Sequence, residues 1–317
     1  MLMLWAFFPI VSQVFYASGS YIQNYLTDTA FPKKRAGALI AAQVPKFLFA
    51  ALLMFAIFGR LVFVLPLGSA LGFVLAGAIN VIASMTFYKA FQAGDAADVL
   101  IYNQLSPLIS LALGVAILGE TITASQGLGF LFIMVAIVIV VFGSTRKSER
   151  NNPNLKVIAT TLTAAFFSIL SDIVFALFAR EYTADINLFA KSFFFFEIGS
   201  ALCATVLFIC MPHWRRALKT VFVKSKNHNR NLLALAVDWI LNILAELLYK
   251  YGLLIVPVVA MMTAVGKVSN LFMSFFFTMF IGRIFPKFIH GKRITRQIIA
   301  RYIIAGVLIV TGIIIMN

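Results

Sequence analysis

Residues 106–119 read SPLISLALGVAILG and residues 269–282 read SNLFMSFFFTMFIG. The two runs share a serine at one end, a glycine at the other and the same spacing between them, and their flanks correspond as well. Lys89 stands upstream of the first run and Lys250 upstream of the second. Gly129 and Ala136 follow the first, and Ala305 and Gly312 follow the second once the basic insertion PKFIHGKRITRQ, residues 286–297, is passed. Matches in one shared order point to a duplicated unit, and self-similarity of this kind settles architecture ahead of any local reading. The division falls in STRKSERNNPN, residues 144–154, so the units are expected over residues 1–148 and 149–317.

Composition says what each unit is made of. The chain has 317 residues, of which 62% are hydrophobic and only 12% charged, with a mean hydropathy of +0.98. A soluble domain of this size would not expose so little charge. A helix needs roughly 20 apolar residues to cross the hydrocarbon core. Runs of that kind lie at 4–25, 37–58, 67–91, 96–118, 124–143, 155–179, 187–211, 231–251, 254–282 and 298–316. Lipid offers backbone groups no hydrogen bonds, so open-ended spans must be helical. The expected class is therefore an all-α membrane protein with ten transmembrane helices. Five spans per unit is an odd number, so the second unit enters from the opposite face and the five-helix repeats are inverted. Secondary transporters are commonly built this way, with a site near the midplane between the halves.

Charge position predicts orientation. The connections after the first, fifth, seventh and ninth runs carry most of the Lys and Arg, including Lys33, Lys34, Arg35, Arg146, Lys147, Lys224, Lys226, Lys287 and Lys292. The opposite side carries Arg60 and Arg180. Basic loops stay cytoplasmic, which places both termini on the non-cytoplasmic side of a plasma (inner) membrane. The net charge of +15 thus serves topology and lipid contact, and no nucleic-acid partner is expected. The first apolar run begins at residue 4 without a basic leader and is long enough to span, so it reads as a retained helix. His213, His228 and His290 lie in basic loops, and no Gly-rich phosphate loop occurs, so neither a metal, a cofactor nor a nucleotide-driven motor is expected. Cys203 and Cys210, in one run, read as small packing residues, and the phenylalanine runs 193–196 and 275–277 as packing and lipid contacts.

The informative residues are charges inside the spans, because an ionisable group in the hydrocarbon region is costly and faces a partner or an aqueous cavity. Lys46 and Lys267 are expected near the middle of runs two and nine, with Glu197 at comparable depth in run seven and opposite Lys46 in the repeat alignment. Pro45 should bend the second helix at Lys46. Asp238, Asn242, Glu246 and Lys250 recur every four residues in run eight, a polar stripe on one inward face. That spacing predicts a Glu246–Lys250 pair within the helix. Asp172 adds a carboxylate in run six; Asn80 and Gln104 are uncharged candidates, Gln104 corresponding to Lys267. Lys89 and Lys250, each ending a helix, are expected to reach the interface or to close a cavity mouth. Two readings stand beside each other: these groups satisfy one another in a polar core, or they line a cavity for a charged or zwitterionic solute, with one acid carrying a coupling proton.

The segment FYKAFQAGDAADVLIYNQLSPLISLALGVAILGETITASQGLGFLFIMVAIVIVVFG, residues 87–143, with Pro107, the close on Gly119-Glu120-Thr121 and a glycine-bearing last helix, resembles the EamA-type repeat of the drug/metabolite transporter superfamily. In the second half Arg283 and Asn270 stand where Glu120 and Pro107 would recur. The resemblance implies a secondary transporter, not an enzyme, with a central cavity between helices 1–4 and 6–9 and with helices 5 and 10 as scaffold or homodimer contact. Within that reading Lys46 and Lys267 hold an anionic group. Glu197, Asp238 or Asp172 faces a cationic group or carries a proton; Glu246, Asn242 and Gln104 complete the site. The alternative is a flippase or binding protein for a phosphate-bearing lipid carrier.

Overall fold

A computed structural model of the chain describes residues 4–29, 40, 42–93, 99, 102–144, 155–180, 186–212, 215–216, 228–284 and 296–316. Among these the chain forms ten α-helices: α1 (Leu4–Thr29), α2 (Val44–Phe58), α3 (Leu67–Ala93), α4 (Ser106–Leu118), α5 (Ala124–Ser144), α6 (Leu155–Ala179), α7 (Ile186–Cys210), α8 (His228–Ile255), α9 (Val259–Ile284) and α10 (Arg296–Met316). A 3-10 segment, Gly59–Phe63, continues α2. Eight helices, counting α2 with that segment as one, are long and apolar enough to cross a membrane, and α4 is a shorter apolar helix. The protein is an integral, multi-pass membrane protein. Its outward leucines, isoleucines and valines, such as Leu131 and Val138 on α5 and Ile303, Val307 and Val310 on α10, are exposed, as faces turned to lipid are. Most of the basic connecting residues, and the dividing stretch 145–154, lie outside the described residues.

Prolines and glycines set the ends. Pro45 and Pro107 occupy the first turns of α2 and α4, where a missing N–H costs nothing because no partner exists for it. Pro45 therefore does not bend a continuous helix, as the sequence suggested: it opens α2, and Lys46 sits in the first turn rather than mid-helix. Likewise Gln104 and Leu105 form a turn ahead of α4, so the run 96–118 is not one helix through its described part. At the other end of α4, Gly119 takes the left-handed conformation (φ 64°), and the Glu120 N–H bonds back to the Gly114 carbonyl at 3.2 Å. That is the glycine-terminated helix end in which orphan carbonyls find donors.

The helices pair in a pattern that repeats when five is added to each number. The α3–α6 contact is matched by α8–α1, and α4–α6 by α9–α1; α5 packs on α10 and α4 on α9. Small residues let the backbones approach. Gly129 of α5 faces the Gly312 carbonyl of α10, and Gly312 faces the Gly129 carbonyl, so these glycines serve an approach within the chain. One pairing breaks the pattern. Helix α3 packs along α7, yet its counterpart pair, α2 and α8, barely touches.

The α3–α7 contact is a glycine seam. A methyl added at Gly77 would overlap the Phe196 carbonyl, and one at Gly199 would overlap the Val74 carbonyl. Ser200 Oγ donates to the Gly77 carbonyl at 3.2 Å across the same seam. Beside it, on α3 and α6, Ser171 Oγ donates to the Ala76 carbonyl at 2.8 Å, and Phe73 meets Phe175 edge to face at 5.2 Å.

Candidate functional site

Where α2 and α8 stand apart there is a cavity of about 250 Å³. Its walls come from the later halves of α1 (Tyr16, Ser20, Gln23) and α3 (Asn80, Ser84, Tyr88), the start of α2 (Gln43, Lys46, Phe47) and the middle of α8 (Asn242, Glu246). Ser20 and Ser84 are exposed and mark the mouth, whereas Gln43, Lys46 and Glu246 are buried and form the floor.

The polar stripe of α8 does face inward, and each member meets a different neighbour. Asp238, fully buried, accepts from Gln43 Nε2 at 3.0 Å and from Asn242 Nδ2 at 2.7 Å. Glu246 accepts from Lys46 Nζ on Oε2 at 3.2 Å and from Asn80 Nδ2 on Oε1 at 3.1 Å. One turn further, Lys250 Nζ donates to Asp172 of α6 at 2.8 Å, and Tyr249 donates its hydroxyl hydrogen to the other Asp172 oxygen at 3.2 Å. The Lys250 ammonium also lies 4.3 Å from the Phe196 ring centre and 4.9 Å from that of Phe175.

Two expectations are corrected here. Glu246 and Lys250 do not pair within α8: the helix turns both inward, and each takes a partner from across the bundle. An exposed i, i+4 pair is worth only about 0.2–0.5 kcal/mol, so a cross-bundle partner in low dielectric outcompetes it. Nor does Lys250 reach an interface, being 3% exposed. Lys89, by contrast, is exposed near the end of α3.

The remaining candidates lie outside the cavity lining. Lys267 is partly buried in α9 and forms no ion pair among the described residues. Gln104 is buried ahead of α4, with Oε1 unbonded among the described residues. Glu197 is completely buried, and neither of its oxygens has a hydrogen-bond partner among the described residues. The structure therefore brings Lys46, Asn242, Glu246 and Asp238 together, places Asp172 with Lys250 behind them, and keeps Lys267 and Gln104 apart from the cavity. Sequence reasoning missed Gln43, Tyr16, Ser20 and Gln23. A signal existed: Tyr16, Ser20 and Gln23 recur at helical spacing and so share one face of α1.

At the opposite end of the bundle, helix ends are tied together. Glu120, just past α4, bonds through Oε1 to Arg180 Nη2 at 2.6 Å and to the Val259 N–H at 2.9 Å. Arg180, following α6, also donates to the Pro257 carbonyl at 3.3 Å. One carboxylate thus caps the start of α9, where anions complement the helix dipole, and ties three helix ends together. Tyr251 meets Phe8 at a tilt and Phe189 edge to face, and Phe193, Phe196, Leu253, Met261 and Met262 are fully buried. Because hydrogen bonds to charged groups contribute roughly 1.5–3 kcal/mol, Glu120→Ala is expected to cost about 2–3 kcal/mol. Arg180→Ala should cost less, since the arginine side chain is 31% exposed and the carboxylate keeps its Val259 donor. Denaturant unfolding in detergent measures both; an arginine variant costing as much as the glutamate variant would contradict the capping role.

Comparison with known proteins agrees with this architecture. Residues 34–142 match the model of the EamA-like transporter family. No curated protein matches the chain. A solved structure described only as the crystal structure of a protein superposes with a TM-score of 0.64 at 14% identity, covering 99% of this chain and 95% of the other; at that identity it speaks for the fold alone.

Proposed function

We propose, from the match of residues 34–142 to the EamA-like transporter family, that this chain carries a small polar, charged or zwitterionic metabolite by alternating access. The observation that carries this reading is the broken pairing. The cavity occupies the gap between α2 and α8, while the equivalent gap between α3 and α7 is sealed. Two inverted five-helix repeats, residues 1–148 and 149–317, would exchange these conditions: α2 closes on α8 as α3 leaves α7, and the chamber opens at the other face. With both termini on the non-cytoplasmic side of the plasma membrane, the present mouth faces the cytoplasm.

The lining suits a solute bearing both signs. Lys46 and Glu246 present one charge each, and the side-chain amides of Gln23, Gln43, Asn80 and Asn242 with the phenols of Tyr16 and Tyr88 supply donors and acceptors. A purely apolar drug would strand these groups. The lipid-carrier reading has less support, since it needs Lys46 and Lys267 along one groove and Lys267 is not among the lining residues.

The test has two steps. Thermal stabilisation of the purified protein across a metabolite library identifies a solute, because a ligand that binds only the folded state raises its stability. Counterflow of that labelled solute in proteoliposomes then measures transport. Lys46→Ala and Glu246→Gln should each weaken uptake about ten- to a hundredfold, the loss of one charge-assisted bond of roughly 1.5–3 kcal/mol. Undiminished counterflow in both folded variants removes the site from this cavity, whereas Lys267→Ala, outside the lining, should keep its uptake.

A further inference from the structure

Among the described residues, seven lysines and acids lie in the middle of the bundle: Lys46, Asp172, Glu197, Asp238, Glu246, Lys250 and Lys267. Three of the four acids are accounted for. Asp172 has Lys250 and Tyr249, Glu246 has Lys46 and Asn80, and Asp238 has Gln43 and Asn242. Glu197 alone is different: it has no exposed surface, and neither oxygen has a hydrogen-bond partner among the described residues. An ionised carboxylate left so would forfeit its hydration with nothing in return, whereas a protonated one forfeits little. Its charged surroundings come from several helices. Lys46 of α2 and Glu246 and Lys250 of α8 act on it electrostatically. Asp172 of α6 is engaged with Lys250, α3 carries no charge before the exposed Lys89, the 3-10 segment brings only the exposed Arg60, and α7 itself adds Lys191.

We propose that Glu197 is a proton-binding site, and that Lys46 transfers from Glu246 to Glu197 when that proton departs and a cationic group takes Glu246. This rests on the carrier reading above. The exchange balances: one proton leaves, one cationic group enters, Lys46 keeps an anionic partner throughout, and the charge of the interior is unchanged. A proton and a cationic solute group thereby occupy the protein alternately, the condition for driving one with a gradient of the other. Lys46 is suited to the transfer because it is bonded to Glu246 and within electrostatic range of Glu197, on a long flexible stem.

The proton itself is the probe, so no solute is needed. Infrared spectroscopy of the purified full-length protein near neutral pH resolves the carbonyl stretch of a protonated carboxylic acid from ionised carboxylates. Wild type is expected to show this band, carbon-13 labelling of glutamate is expected to shift it, and Glu197→Gln should abolish it while Asp238→Asn leaves it. Glu246→Gln mimics occupation of Glu246: Lys46, deprived of its partner, turns to Glu197, and the band disappears. Adding Lys46→Met to Glu246→Gln restores the band, which excludes Glu246 as its source. No glutamate band in wild type overturns the proton site. A band that persists in Glu246→Gln, or fails to return in the double variant, overturns the transfer. Should Glu197→Gln not fold, the label shift in wild type and the behaviour of the two Glu246 variants still decide. These outcomes are independent of counterflow, so a failed carrier reading is told apart from a failed proton site.

Discussion

Purified Lys250→Met protein is expected to unfold far more readily than wild type, by about 3–5 kcal/mol, the usual cost of removing one partner from a buried ion pair. Both side chains are nearly sealed from solvent, at 3% for Lys250 and 10% for Asp172. Without the ammonium, Asp172 keeps only the Tyr249 hydroxyl, and the rings of Phe175 and Phe196 lose the cation they flank. The pair is worth less than this cost suggests, because charging it also required taking two ions out of water. The double variant Lys250→Met, Asp172→Leu, which removes both charges at similar volume, should therefore recover most of the loss. Thermal or denaturant unfolding of the three variants in detergent measures this. A single variant as stable as wild type, or a double variant no better than the single, would show that the two residues are not a coupled buried pair. Counterflow in the double variant adds a separate result: retained uptake makes the pair a structural tie between α6 and α8, and lost uptake makes it part of the conformational cycle.

The second large effect lies at the glycine seam. Gly199→Ala and Gly77→Ala each place a methyl onto a backbone carbonyl of the facing helix, an obstacle that cannot rotate away. Overpacking typically costs about 1–3 kcal/mol, and the upper end, about 3 kcal/mol, is expected here because two backbones must separate. In a rigid bundle that cost appears only as lost stability. In an alternating carrier it also favours the arrangement with α3 and α7 apart, by more than a hundredfold at roughly 1.4 kcal/mol per decade. Ser200, fully buried at the seam, reports the difference: Ser200→Cys should react slowly with a water-soluble maleimide in the wild-type background and quickly beside Gly77→Ala. Equal labelling in both backgrounds, with unchanged stability, would remove the seam from the cycle.

The membrane class, the helices and the inward stripe of α8 could all be read from the chain, because each depends on local quantities. Hydrophobic length decides whether a segment spans, and four-residue spacing decides that Asp238, Asn242, Glu246 and Lys250 share a face. Glycine after α4 was legible as part of the stretch ending in Gly119-Glu120-Thr121. The clamp that Glu120 makes with Arg180 and the Val259 N–H was not, since its parts are far apart in sequence. The same holds for Pro45, which looked like a kink because the apolar run continued through it, yet sits where a helix begins.

The amino-acid order alone determined how many apolar segments there are, what must be helical, and which polar side chains share a helix face, all consequences of side-chain type and local periodicity. Only the tertiary structure decided which charge meets which: Lys46 with Glu246, Lys250 with Asp172, and Glu197 with no hydrogen-bonding partner among the described residues. The physical reason is one of scale. A charge pair along a helix is worth a few tenths of a kilocalorie, whereas the separation of whole helices follows from where small residues let backbones touch. At Gly77 and Gly199 they touch, between α2 and α8 they do not, and the cavity with its unequal set of partners is the result.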